Sequence, residues 1–333
     1  MRAAVSIPIE EGLPVPRLVE LAKAAEECGY RAVVAGEVAG PDVFVLLAAI
    51  AAATQRIHLG TGVIPMATRS VALQAMGFQA VASLAPGRVM AGVGVSSPTV
   101  VERWHGGTFA PPLAYAREHL PALRAALDGE KLDLEGEHIQ SAGFRTTLPA
   151  APRIPVLLAA MRPRMIELAA ELADGVFLTW CPPEEAFEQV SRFHAAAERS
   201  GRDPAELTVL ASFFAYAGPD EDEARERLRR FVLQYATVST HQTSFARAIP
   251  NLDEVQAAWT AGDRKRALAL VSDESVAAMC PIGAEAAAAR IAELHAVGVD
   301  LPVMLVPGAR HGDADGPFHT VRNVARALRP ETT

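Results

Sequence analysis

The chain has 333 residues, half of them hydrophobic, and a formal net charge of −8. That length allows one large barrel or two ordinary domains, and the apolar share supports a buried core rather than a disordered chain. The acidic balance argues against a nucleic-acid partner, whose phosphates demand clustered Lys and Arg.

Short β-like runs alternate with longer amphipathic stretches, the pattern of a parallel sheet wrapped by helices. Residues 3–7 read as a first strand and 15–28 as a helix stopped by Gly29. Strand 32–35 precedes an apolar helix over 42–54, with Asp42 as its N-cap. Strand 57–62, helix 71–84, strand 89–93 and helix 113–127 follow. Residues 129–152 then interrupt the repeat as an inserted hairpin or loop. Strand 155–159, helix 164–172, strand 175–179, helix 184–199 and strand 207–213 resume it. A long polar and helical stretch, 219–275, is the second extension, before helix 284–297, strand 303–306 and a closing helix over 318–328. Eight strand–helix units predict a single α/β domain over 1–333, a TIM (β/α)₈ barrel with insertions after helix 4 and before strand 8. An open doubly wound sheet competes, but it usually carries a glycine fingerprint after strand one; here that turn is Pro8-Ile9-Glu10-Glu11-Gly12.

Cys28, Cys181 and Cys280 supply neither a disulfide framework nor metal-ligand spacing. Residues 1–8 lack a signal peptide's charged and apolar regions, and the longest apolar run, 43–53, is too short to span a bilayer. A cytoplasmic protein without a membrane partner is expected.

In such a barrel the segments after each strand face the active site. Lys23, Lys131 and Lys265 all lie elsewhere, which argues against Schiff-base chemistry, and no strand end offers a metal-binding cluster of His and carboxylates. Asp313-Ala314-Asp315-Gly316 hints at calcium but lacks the rest of a binding loop, so it reads as a solvated loop. Gly92 and Gly94 serve either close packing or close approach of backbone to a phosphate or ring. Ser96 and Ser97 suit an anion. Arg162 and Arg164 open a helix, where the dipole disfavours cations, so they are either ligands for an anion or a solvated pair. Glu37 is a site acid or a partner of Arg69 or Arg31. Trp104, His105 and Trp180 are candidates for the substrate pocket, with His105 a possible proton donor. A mouth without metal, lysine or nucleophile suits a borrowed redox cofactor.

Thr54-Gln55-Arg56-Ile57-His58-Leu59-Gly60-Thr61-Gly62-Val63 with Arg69, Ala85-Pro86-Gly87-Arg88 into Gly92-Val93-Gly94, Leu134-Glu135-Gly136-Glu137-His138, and Ala173-Asp174-Gly175-Val176 together resemble the luciferase-like monooxygenase superfamily, especially its coenzyme F420 branch. The likeness runs from strand one to strand eight. It implies a non-prolyl cis peptide between Gly62 and Val63 behind the cofactor's central ring, beside Thr61. It implies a cofactor tail near Gly94, Val95, Ser96 and Ser97 and near the turn Ala160, Met161, Arg162 and Arg164, and it implies a homodimer. The chain departs from the family where Glu37-Val38 lacks the histidine that follows the acid in many dehydrogenases, where Ser96-Ser97 replaces a glutamate, and where Arg162 replaces a glycine. Without that histidine base, reduction of a C=C or C=N bond in a small organic substrate is favoured over alcohol oxidation, with Glu37 and His105 as catalytic residues. The alternatives are an FMN-dependent two-component monooxygenase and a non-catalytic flavin-binding barrel.

Overall fold

In the computed structural model, which describes residues 2–149, 152–238 and 245–329, parallel strands close on themselves. The staves are β1 (Ala4–Ser6), β2 (Ala32–Ala35), β3 (His58–Thr61) continued after a break by β4 (Ile64–Pro65), and β5 (Val89–Gly94), followed by β8 (Val156–Ala160), β9 (Gly175–Leu178), β10 (Thr208–Phe214) and β11 (Leu301–Leu305). Each stave pairs with its neighbour, and pairing of Leu59 with Val89 and of Gly60 with Met90 completes the ring. The expected TIM barrel is the observed fold. Its interior is filled by Val34, Leu157, Phe177, Leu210 and Val303 among others, with Val63, Met90 and Ala159 packed on them, so the barrel is a core and not a pore.

The outer helices are α1 (Val15–Cys28), α2 (Val43–Ala53), α3 (Val71–Leu84), α4 (Pro112–Leu127), α5 (Pro163–Leu172) and α6 (Pro183–Arg199), then α7 (Glu221–Ala236), α8 (Leu252–Thr260), α9 (Arg264–Ala269), α10 (Asp273–Met279), α11 (Ala284–Ala296) and α12 (Gly316–Ala327). Gly29, at φ 87°, stops α1 as anticipated. Asp42 caps α2 by accepting from the backbone N–H groups of Phe44 and Val45 at 3.0 Å.

Both extensions resolve into structure. Over the first, β6 (Leu132–Glu135) and β7 (Gln140–Phe144) form an antiparallel hairpin. The second, expected as a polar and helical stretch, carries α7 to α10; residues 150–151 and 239–244 of the two extensions lie outside the described residues. Two features differ from expectation. A π-helical turn, Thr99–Trp104, follows β5, and β11 starts two residues before the anticipated 303 because Pro302 lies inside it. Proline removes a ladder donor and reads as a strand breaker, yet here it pairs in register with Ala211.

Candidate active site at the C-terminal mouth of the barrel

The backbone departs from regular geometry at three strand ends on one rim. The Gly62–Val63 peptide is cis, Ser96 has φ 62° and Trp180 has φ 23°. Positive φ in non-glycine residues gathers where function constrains the chain. Around the cis bond, Gly62 N–H donates to Ala35 O at 2.8 Å, and Val63 O accepts from Glu37 N–H at 3.1 Å. Thr61, buried, donates its hydroxyl to Gly92 O. A Cβ on Gly92 would lie 2.0 Å from Thr61 O, and one on Gly94 would lie 2.7 Å from Val63 Cγ2 and 3.2 Å from Ala159 Cβ. The two glycines therefore exist to let β5 close against the bulge, the packing reading of that pair.

Glu37 follows β2 and meets Arg69 of the turn before α3. Arg69 donates from Nε to Oε1 at 3.0 Å and from Nη2 to Oε2 at 2.7 Å, and it also grips Asp42. The Glu37 and Arg69 side chains are only 12% and 18% exposed, so this is a partly buried bidentate pair rather than a surface contact. The two carboxylates push the Arg69 pKa up. Partial burial opposes ionisation of Asp42, but the Arg69 hydrogen bond and two backbone donors lower its pKa on balance.

The register pairs Val93 with Leu158, so the segments leaving β5 and β8 run side by side. Val95, exposed Ser96 and half-buried Ser97 leave the end of one of these paired strands, and Met161 and Arg162 follow Ala160 at the end of the other. Ser97 Oγ accepts from Val100 N–H at 3.4 Å and opens the π turn. Arg162 occupies the N-cap position of α5 and no side chain caps that helix. Arg164, in its first turn, is exposed and pairs with no carboxylate among the described residues. An uncapped helix start with Arg164 in its first turn, and serine hydroxyls at the end of the neighbouring strand, make a donor set for a phosphate-bearing group. His105 sits exposed at the end of the π turn, its N–H bonded to Val100 O at 3.2 Å, beside Trp104, which is 55% exposed.

Trp180 is no pocket-wall residue. It is 1% exposed, its indole N–H donates to Met279 O at 3.0 Å, and Phe214, Tyr235 and Phe245 meet it edge-on. It anchors the second insertion to the rim, and Phe214, Phe231 and Tyr235 are the partly exposed rings there. Sequence reading also missed the turn after β1. Glu11, buried, forms a bidentate pair with Arg227, which donates as well to Gly308 O. Glu10 reaches solvent, yet the protein around its carboxyl and the Glu11 charge both raise its pKa. The signal available was two adjacent acids directly after a strand. Asp313 accepts from the backbone N–H groups of Ala309, Asp315 and Gly316, so it orders the chain into α12.

Known proteins resemble this chain over most of its length. A family model described as luciferase-like monooxygenase matches residues 1–301. A 5,10-methylenetetrahydromethanopterin reductase of Methanolobus tindarius is 31% identical over 215 residues, covering 64% of this chain and 65% of that protein, just under two thirds of its length. A protein of Mycobacterium tuberculosis, provisionally assigned as a coenzyme F420-dependent oxidoreductase, is 29% identical over 286 residues, covering 79% and 82%. The solved structure of coenzyme F420-dependent tetrahydromethanopterin reductase from Methanopyrus kandleri superposes with a TM-score of 0.80 at 20% identity, covering 98% of each chain.

Proposed function

Because this chain belongs to the luciferase-like monooxygenase family, we propose that it is an oxidoreductase dependent on coenzyme F420 that reduces a C=C or C=N bond in a small organic substrate. The observation that carries this reading is the rim itself: the Gly62–Val63 bulge after β3 and the uncapped start of α5 after β8, at the same end of the barrel. The Mycobacterium tuberculosis relative, whose name includes coenzyme F420, supports F420 over FMN.

The residues present fit such a group. Ser96, Ser97, Arg164 and the α5 start offer hydroxyl, cationic and helix N-terminal donors to an anionic tail, while the half-buried Gly62–Val63 bulge, backed by Gly94, would present its backbone to a ring. When bound, the reduced deazaflavin supplies a hydride; the chain's own residues do the rest. Glu37 orients rather than transfers protons, because both of its oxygens accept from Arg69. Glu10 is the proton donor that completes the reduction: it lies in the turn after β1 at this mouth, Arg227 is taken by its neighbour Glu11, and burial and the Glu11 charge raise its pKa. His105 is the competing donor, from the exposed end of the π turn. A homodimer formed through α2 and α3 completes the proposal.

Titration of the purified protein with F420 and with FMN tests the cofactor: F420 is expected to bind at least tenfold tighter, and the reverse order moves the reading to a flavin monooxygenase. With a turned-over substrate in hand, Glu10→Gln should lower kcat by about 10²-fold or more, the scale of general acid catalysis, with His105→Ala near wild type. Loss of turnover in His105→Ala alone reassigns the proton to that residue.

A further inference from the structure

Gln74 lies in the first turn of α3 and is fully buried. A buried amide needs partners for two donors and one acceptor. Its Nε2 donates to Met66 O and to Arg69 O, each at 3.0 Å, so one side chain brackets the whole turn that delivers Arg69 to Glu37. With both amide hydrogens spent, Oε1 must accept, and its partner is His119 Nε2 at 3.1 Å. The hydrogen accounting therefore fixes His119 as the neutral tautomer protonated on Nε2, while Nδ1 is buried without a partner. His119 stacks on Tyr115 with centroids 5.8 Å apart, and the Tyr115 hydroxyl donates to Met66 O at 3.4 Å. Two side chains from two helices, Gln74 and Tyr115, thus converge on two carbonyls of a four-residue turn, with His119 holding Gln74 from behind.

We propose that the Gln74–His119 pair is a positioning device: it holds the 66–69 turn so that Arg69 keeps the Glu37 carboxylate and the adjacent bulge in the geometry that receives the cofactor. The proposal rests on reading the rim as an F420 site. An apolar residue at 119 would leave Gln74 Oε1 unsatisfied, free the amide to rotate, and release the turn. The pair touches no reacting atom and acts only through Arg69.

The test is a double-mutant cycle on the full chain, read by the fluorescence of bound F420. Gln74→Met and Arg69→Ala should each weaken F420 binding about tenfold, and the double variant should be no worse than either, because both remove the same alignment. His119→Gln, which keeps an N–H donor, should bind near wild type, whereas His119→Leu should match Gln74→Met. If Gln74→Met fails to fold, the two His119 variants carry the comparison. Losses that multiply to about a hundredfold in the double variant, or equal binding by His119→Leu and wild type, overturn the positioning role. Failure of the wild-type chain to bind F420 instead sinks the functional reading itself.

Discussion

Glu10 and Glu11 are neighbours in the turn after β1, and their surroundings give them opposite work. Glu11 is committed to Arg227 and ties α7 to the loop after β11, which leaves Glu10 as the acid of that turn with no salt-bridge partner among the described residues. Glu37 offered the sequence two partners, and the fold decides for Arg69, because Arg31 lies at the opposite end of β2, where its N–H bonds Ala3 O. His119 was illegible: a histidine within an amphipathic helix reads as surface until packing buries it. Burial lowers its pKa to about 3 from an ordinary 6.5. Since the unfolded chain takes up a proton below pH 6.5 and the fold does not, this histidine's effect on stability is absent above that pH. As pH falls from 6.5 towards 3 it costs up to about 1.4 kcal/mol per unit. His119→Gln should therefore lose thermal stability less steeply than wild type over pH 6 to 4; parallel melting curves would show that the ring is not buried neutral.

At the level of elements, alternation of strand and helix made the barrel legible, and the glycines of β5 marked a close approach without saying to what. The structure identifies Thr61 and Val63. Gly94→Ala drives a methyl into Val63 Cγ2, overpacking that costs about 1–3 kcal/mol. Displacement of the bulge should weaken F420 binding about tenfold or more with little change in circular dichroism. Unaltered affinity would mean that the bulge does not set the site. The π turn after β5 was not legible because a five-residue hydrogen-bond period has no distinctive side-chain pattern. Trp180 misled for a related reason: strand-end position predicts the rim, but whether a ring faces solvent depends on α7 and α10, distant in sequence.

Across the whole molecule the outer surface is uneven. α2 and α3 pack side by side and carry no charged residue over their lengths, yet Val45, Leu73, Met76 and Leu84 stand 63%, 47%, 48% and 52% exposed. A helix apolar on every side is normally covered, and a charge-free face can meet its own copy without like-charge repulsion. Val45→Glu with Met76→Glu should convert a dimer to a monomer in sedimentation velocity, with F420 binding retained. A wild-type monomer, or a double variant that stays dimeric, removes this face from the assembly.

The sequence by itself determined the strand–helix alternation of a barrel and its two interruptions, because these rest on local periodicity, while its short motifs carried the resemblance that implied the family and the bulge position. Only the tertiary structure decided which acid is committed and which is available, that Trp180 is an anchor, and that Gln74 and His119 stand behind Arg69. Those are properties of contacts between residues tens to hundreds of positions apart, and burial and hydrogen-bond partners come into existence only when the ring closes.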